Sequence, residues 1–158
     1  MLRHVYLILL GLLLAACGMD EQAAREAAKS KQLPPTEQQL MAKIKEGGHD
    51  KEGKLLVEAG VNPNAAQSNG VTVLMAAAFN GQHNTAKALL EKGADVKGHS
   101  GGYDALGFAV EKGDVPMVKL LVDHGADPQW VPPAGKSAVQ RAKERPDGAA
   151  LLDAMGVK

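Results

Sequence analysis

Histidines, one cysteine and a glycine-rich string are the residues of this 158-residue chain that could do chemistry beyond simple charge. A metal centre needs His, Cys, Asp or Glu at compact ligand spacing. Outside the first residues, the histidines are His49, His83, His99 and His124, and none pairs with such a residue at that spacing. His124 stands near a helix end, where positive charge is favourable. His99 reads as a solvent-exposed loop residue. The string Gly98-His99-Ser100-Gly101-Gly102 lacks both the Lys-Ser/Thr that follows a phosphate loop and the buried strand that precedes one. It reads as a pliable finger. Asp95 and Asp127 each follow Gly-Ala and read as turn residues, not as an acid–base pair. The sequence thus predicts a protein that is not an enzyme, with no metal and no cofactor. Its 18 basic and 18 acidic side chains balance, which argues against a nucleic-acid partner.

The elements that must hold these residues repeat. Gly70 to Asp95 reads as a turn, a helix, a break at Gly81, a second helix and a stop at Gly93. Thr72 is placed to cap the first helix, and Gly93 suits the left-handed position that ends the second. Gly81, Gly93 and Ala94-Asp95 return as Gly113, Gly125 and Ala126-Asp127, each 32 residues later; Gly48 and Gly60 precede the first two by 33. A core with 45% apolar but only 3% aromatic residues suits closely packed short helices.

This period, with two short helices and a turn per unit, resembles the ankyrin repeat. Gly70, Thr72, Leu74, Ala77, Ala78, Gly81, Leu89, Leu90, Gly93, Ala94 and Asp95 fit the family pattern. Val73 and Met75 replace its Pro and His. The next unit keeps Gly102, Leu106, Ala109, Gly113, Leu121, Gly125, Ala126 and Asp127, but has Asp104-Ala105 for Thr-Pro and Gly107 for His. Ser137, Val139, Ala142, Leu151, Leu152 and Gly156 sketch a last unit. Gly48, Leu55-Leu56, Gly60 and Asn62 sketch a first. The resemblance implies an all-α solenoid of about four stacked helix-turn-helix units over residues 36–158, with projecting β-turn fingers and atypical ends that cap the stack. It also makes His49 and His83, which follow repeat glycines, structural.

In detail, Thr36 caps a helix to about Glu46 with Leu40, Met41 and Ile44 inward, and a second, from about Lys51 to Ala59, buries Leu55, Leu56 and Val57. Further helices span about 73–80, 84–92, 105–112 and 115–123. Ser137 caps one to about Lys143, and the last runs from Pro146 to Met155.

Residues 1–16 read as a targeting segment, with the apolar run Val5 to Leu14 at the length of a signal-peptide core. Leu14-Ala15-Ala16-Cys17 resembles the lipobox of bacterial lipoproteins. That resemblance implies cleavage before Cys17, a diacylglycerol on its sulfur and an acyl chain such as palmitate on its new amino group. The alternative is a plain secretory signal with an incidental cysteine. Each buried methylene of such chains contributes about 0.8 kcal/mol to anchoring. By the same resemblance, Gly18 rather than Asp after the cysteine implies sorting to the outer membrane, facing the periplasm. Residues 17–35 form a tether, read either as a flexible spacer or as a solvated helix with pairs among Glu21, Arg25, Glu26 and Lys29. With no second cysteine, no intramolecular disulfide can form.

In ankyrin arrays partners meet the finger tips and the exposed side of each first helix. Mapped onto this chain, the resemblance places Gln67, Ser68, Asn69, Val71, Phe79 and Asn80 there from one unit. The next contributes His99, Ser100, Tyr103, Glu111 and Lys112, and the last contributes Trp130 and Lys136. Tyr103 and Trp130 read either as anchors for a partner or as gap fillers between units, as does Phe79. The expected protein is a monomer when free, tethered to the membrane by lipid, that binds another protein. One version is an immunity protein covering a periplasmic toxin such as a phospholipase. The alternative is a scaffold or stress-protection partner of an envelope enzyme. A carrier of lipids or small ligands fits less well, because stacked repeats enclose no large cavity.

Overall fold

The computed structural model describes residues 36–133 and 135–157. The leader, Cys17 and the tether lie outside the described residues. Eight helices follow in order: α1 (Glu37–Glu46), α2 (Asp50–Glu58), α3 (Val73–Phe79), α4 (His83–Glu91), α5 (Ala105–Lys112), α6 (Val115–Asp123), α7 (Ala138–Lys143) and α8 (Gly148–Ala154). Between α4 and α5 a short antiparallel ribbon pairs β1 (His99–Ser100) with β2 (Tyr103–Asp104). The glycine-rich string is therefore a hairpin, with Gly101-Gly102 at its tip.

Each first helix begins at a side chain that accepts a backbone N–H three residues on. Thr36 accepts from Gln39, Thr72 from Met75, Asp104 from Gly107 and Ser137 from Gln140. Asp104 thus performs the task of the missing threonine. Such caps satisfy amides that a helix cannot pair internally. The second helices end before Gly60, Gly93 and Gly125; Gly93, at φ 85°, adopts the expected left-handed conformation. At the turns that follow, Asn62, Asp95 and Asp127 each accept from the backbone N–H two residues ahead. The two aspartates are turn residues, as read from the sequence.

First helices stack side by side, α1 on α3, α3 on α5 and α5 on α7; α2 lies on α4 and α6 on α8. Leu40, Ile44, Leu74, Met75, Leu89, Leu106, Met117, Leu121 and Leu151 are fully buried between them. Small Ala76, Ala77 and Ala78 let the first helices approach closely.

One core expectation needs correction. Leu55 is 62% exposed, while Val57 is buried and Leu56 is half-buried. The apolar pair of the first unit is Leu56-Val57, which stands at the same distance before Gly60 as Leu89-Leu90 before Gly93. A helical shift of one residue rotates a side chain by about 100°, enough to turn Leu55 out of the core.

Candidate functional site

Among the described residues, the largest aromatic and charged cluster forms where α3, β2, α5 and α7 meet. Phe79 ends α3 and packs edge-on against Phe108 of α5, with ring centroids 5.5 Å apart. Phe108 stacks on Tyr103 of β2 at 4.8 Å, nearly parallel. The Arg141 guanidinium of α7 covers the Tyr103 ring at 3.7 Å, and Lys112 Nζ lies 3.9 Å from the Phe79 centroid. The result is an unbroken run, Lys112–Phe79–Phe108–Tyr103–Arg141, that crosses three units. Both contact types are favourable beyond simple burial.

Polar bonds fix one end of this run. Only 9% of the Arg141 side chain is exposed. Its Nε donates to Lys136 O (3.1 Å), Nη1 to Glu111 Oε1 (3.0 Å) and Nη2 to Gly102 O (2.9 Å). The same Glu111 oxygen accepts from the Tyr103 hydroxyl at 3.2 Å. Arg145 Nη1 donates to Glu111 O at 2.7 Å and also pairs with Asp147, whose carboxyl it holds below the ordinary aspartate range. Burial pushes the Asp104 carboxyl upward, against the opposing N–H of Gly107 and the charge of Arg141. Beside these groups opens a polar cleft of about 550 Å³ lined by Tyr103, Glu111, Lys136, Arg141, Glu144 and Arg145. Gly135 lies so close to Gly102 that a Cβ there would overlap its carbonyl oxygen. The last finger is thereby drawn against the β1–β2 hairpin.

The sequence-predicted partner residues fall into several groups. Phe79, Tyr103, Glu111, Lys112 and Lys136 join the run or its cleft. Phe79 is 44% exposed, and Asn80 beside it folds back to donate to Ala76 O. Gln67 and Ser68 line a separate cleft of about 550 Å³ beside α1, with Met41, Lys45 and Val73. Asn69 and Val71 close the turn between them, and Ser100 donates to Asn69 O at 2.6 Å. His99 is exposed, and its ring packs 5.1 Å from Trp130. Tyr103 and Trp130 thus belong to different clusters, each half-buried against its own neighbours.

Phe108 and Arg141 were not singled out from the sequence. Counted from the caps Thr72, Asp104 and Ser137, they occupy the same helical position as Ala76. A phenyl and a guanidinium where the strongest repeat has a methyl is the signal that marks them.

The remaining histidines sit in structural contacts. His83 Nε2 lies 2.9 Å from Asp114, joining the second and third units. His49 lies beside Glu46 and Glu52, and His124 Nδ1 is 2.8 Å from Leu120 O. Among the described residues, no group of three or more His, Cys, Asp or Glu is placed to hold a metal, and no helix is long and apolar enough to cross a membrane.

Stacked helix pairs with fingers on one side, and a side-chain cluster spread over three of them, define a repeat solenoid that presents a surface. A family model described as ankyrin repeats (3 copies) matches residues 40–130, more than half of the chain. The chain belongs to the ankyrin-repeat family, whose repeats serve as protein–protein interaction modules. An ankyrin repeat-containing protein of Treponema pallidum (strain Nichols) is 34% identical over 106 residues, 66% of this chain and 35% of its own length. The Homo sapiens palmitoyltransferase ZDHHC13 is 36% identical over 91 residues, 56% of this chain and 15% of its own. The Mus musculus palmitoyltransferase ZDHHC13 is 32% identical over 121 residues, 73% and 20% respectively. The chain therefore spans only about a third or less of the length of these relatives, and the likeness to the palmitoyltransferases falls on the ankyrin region.

Proposed function

We propose that this protein is a membrane-tethered, non-catalytic binder of another protein in the bacterial envelope. The observation that carries this reading is the Lys112–Phe79–Phe108–Tyr103–Arg141 run on the first-helix side of the stack. Aromatic residues and arginine dominate the energetics of many interfaces, and an apolar ring left 44% exposed gains from being covered. The Leu14-Ala15-Ala16-Cys17 sequence supports lipid attachment at Cys17, on an outer-membrane lipoprotein that faces the periplasm. Free of its partner the protein is a monomer.

Within that role the preferred version is immunity: a tethered surface that covers a toxin, such as a phospholipase, beside its membrane substrate. The second reading is a scaffold or stress-protection partner of an envelope enzyme. Deleting the gene separates them. Immunity requires that the deletion strain be killed by toxin-delivering sister cells and rescued by the wild-type chain. Equal survival of both strains contradicts immunity and leaves the scaffold. Metabolic labelling with palmitate tests the anchor: label should be lost in Cys17→Ser, and retained label would rule out that attachment site.

A further inference from the structure

Within the aromatic run, Lys112 carries a positive charge that no carboxylate among the described residues pairs with, and it lies on the run's most exposed ring. Lys112 Nζ rests 3.9 Å from the Phe79 centroid, and no carboxylate among the described residues lies within ion-pair distance of it. Glu111, its neighbour in the chain, is engaged by the Tyr103 hydroxyl and by Arg141. In the adjoining cleft, Glu144 is held by Lys136 at 2.6 Å, and the cleft residue Arg145 holds Asp147 at 2.7 Å. These carboxylates are turned to other cations, and none of them reaches Lys112.

Resting on the reading that this side is the binding face, we infer that Phe79 and Lys112 together receive an acidic–apolar segment of the partner. Its aromatic or leucine side chain covers the Phe79 ring while an adjacent Asp or Glu meets the Lys112 ammonium. Opposite charge placed across an interface fixes register and rejects wrong partners. A partner side chain that covers the Phe79 ring also excludes water beside the Lys112 ammonium, which strengthens the pair. A basic segment would set like charges together at this point and leave the Phe79 ring with a poorer occupant.

The probe is a displayed library of random linear peptides, panned against the full chain in detergent and then measured individually. Enriched peptides should carry Asp or Glu next to an aromatic or leucine residue. Their affinity should fall by about tenfold or more in Phe79→Ala and in Lys112→Glu. Replacing the peptide's acid by lysine should restore binding to Lys112→Glu. Because a glutamate in the last turn of α5 opposes the helix dipole, Lys112→Gln provides a second variant, and melts of all three establish that they fold. Enrichment of basic or uncharged peptides, or acidic peptides that bind these variants normally, would overturn the inference while leaving the binding-module reading in place. A library that yields no binder also counts against it. Loss of native-partner capture by neither variant nor Tyr103→Ala would instead count against the face itself.

Discussion

Between the first two units, α2 lies on α4 with a glycine against a threonine; between the last two, α5 and α7 are bridged by a guanidinium, a carboxylate and a phenol. At the first seam a Cβ on Gly53 would overlap Thr85 Oγ1. There Asp50 accepts from the backbone N–H groups of Asn84 and Thr85 at 3.0 and 2.8 Å. It supplies the cap that α4 lacks from its own N-cap residue, Gln82. The Gln82 side chain is buried and donates back to Ile44 O at 3.2 Å. At the last seam Arg141 takes the equivalent load, but its bonds to Glu111, Gly102 and Lys136 stand beside an open cleft. Both seams satisfy their polar groups. The first turns them inward and closes; the second leaves rings and charges at the surface. One repeat plan can therefore close a seam at one place and leave it open at another, according to the side chains at a few equivalent positions, and the open one is the proposed binding face.

Crowding the closed seam should have the largest effect. Gly53→Val forces α2 away from α4 and should cost about 1–3 kcal/mol, the range for overpacking a core. Denaturant melts measure it; an unchanged midpoint would mean that the seam is looser than described.

Asp50→Asn should cost about 1 kcal/mol at neutral pH, as for loss of a helix cap, and the loss should depend on pH. Burial tends to raise the Asp50 carboxyl, but the hydrogen bonds from Asn84 and Thr85 prevail and hold it below the ordinary aspartate value of 3.8. A carboxylate lowered in the folded state contributes stability above its unfolded pKa and loses it as pH falls through the folded one. The gap between wild type and variant should therefore be full at neutral pH and shrink as pH drops below 3.8. A gap that stays constant as pH falls well below that value would show that the charge is not what matters.

Leu55→Gln should change stability by no more than about 0.5 kcal/mol, as for ordinary surface positions. A larger loss would return Leu55 to the core.

The sequence-based reading of Leu55 failed for a local reason. Leucine identity suggested the apolar pair, whereas distance from Gly60 selects Leu56-Val57. Caps and turns were legible because each is decided by a residue and its near neighbours: Thr36, Thr72 and Ser137 accept from the third residue ahead, and Asp95 and Asp127 from the second. The candidate site was half legible. Phe79, Tyr103, Glu111, Lys112 and Lys136 follow from the repeat pattern. Arg141 does not, because its partners Gly102 and Glu111 lie in the preceding unit and are brought to it only by stacking. The packing of Tyr103 on Phe108 and of Trp130 on His99 was not legible either, because stacking and the hairpin bring these rings together.

The central claim is that the open run around Phe79 serves a partner rather than the fold. Phe79→Ala tests it most directly, by thermal melt and by capture of the native partner from envelope extract with the full chain. The account predicts a melt close to wild type, since the ring is 44% exposed, together with affinity reduced by about 1 kcal/mol or more. Normal capture by a folded variant, or a capture defect matched by early unfolding, would contradict it.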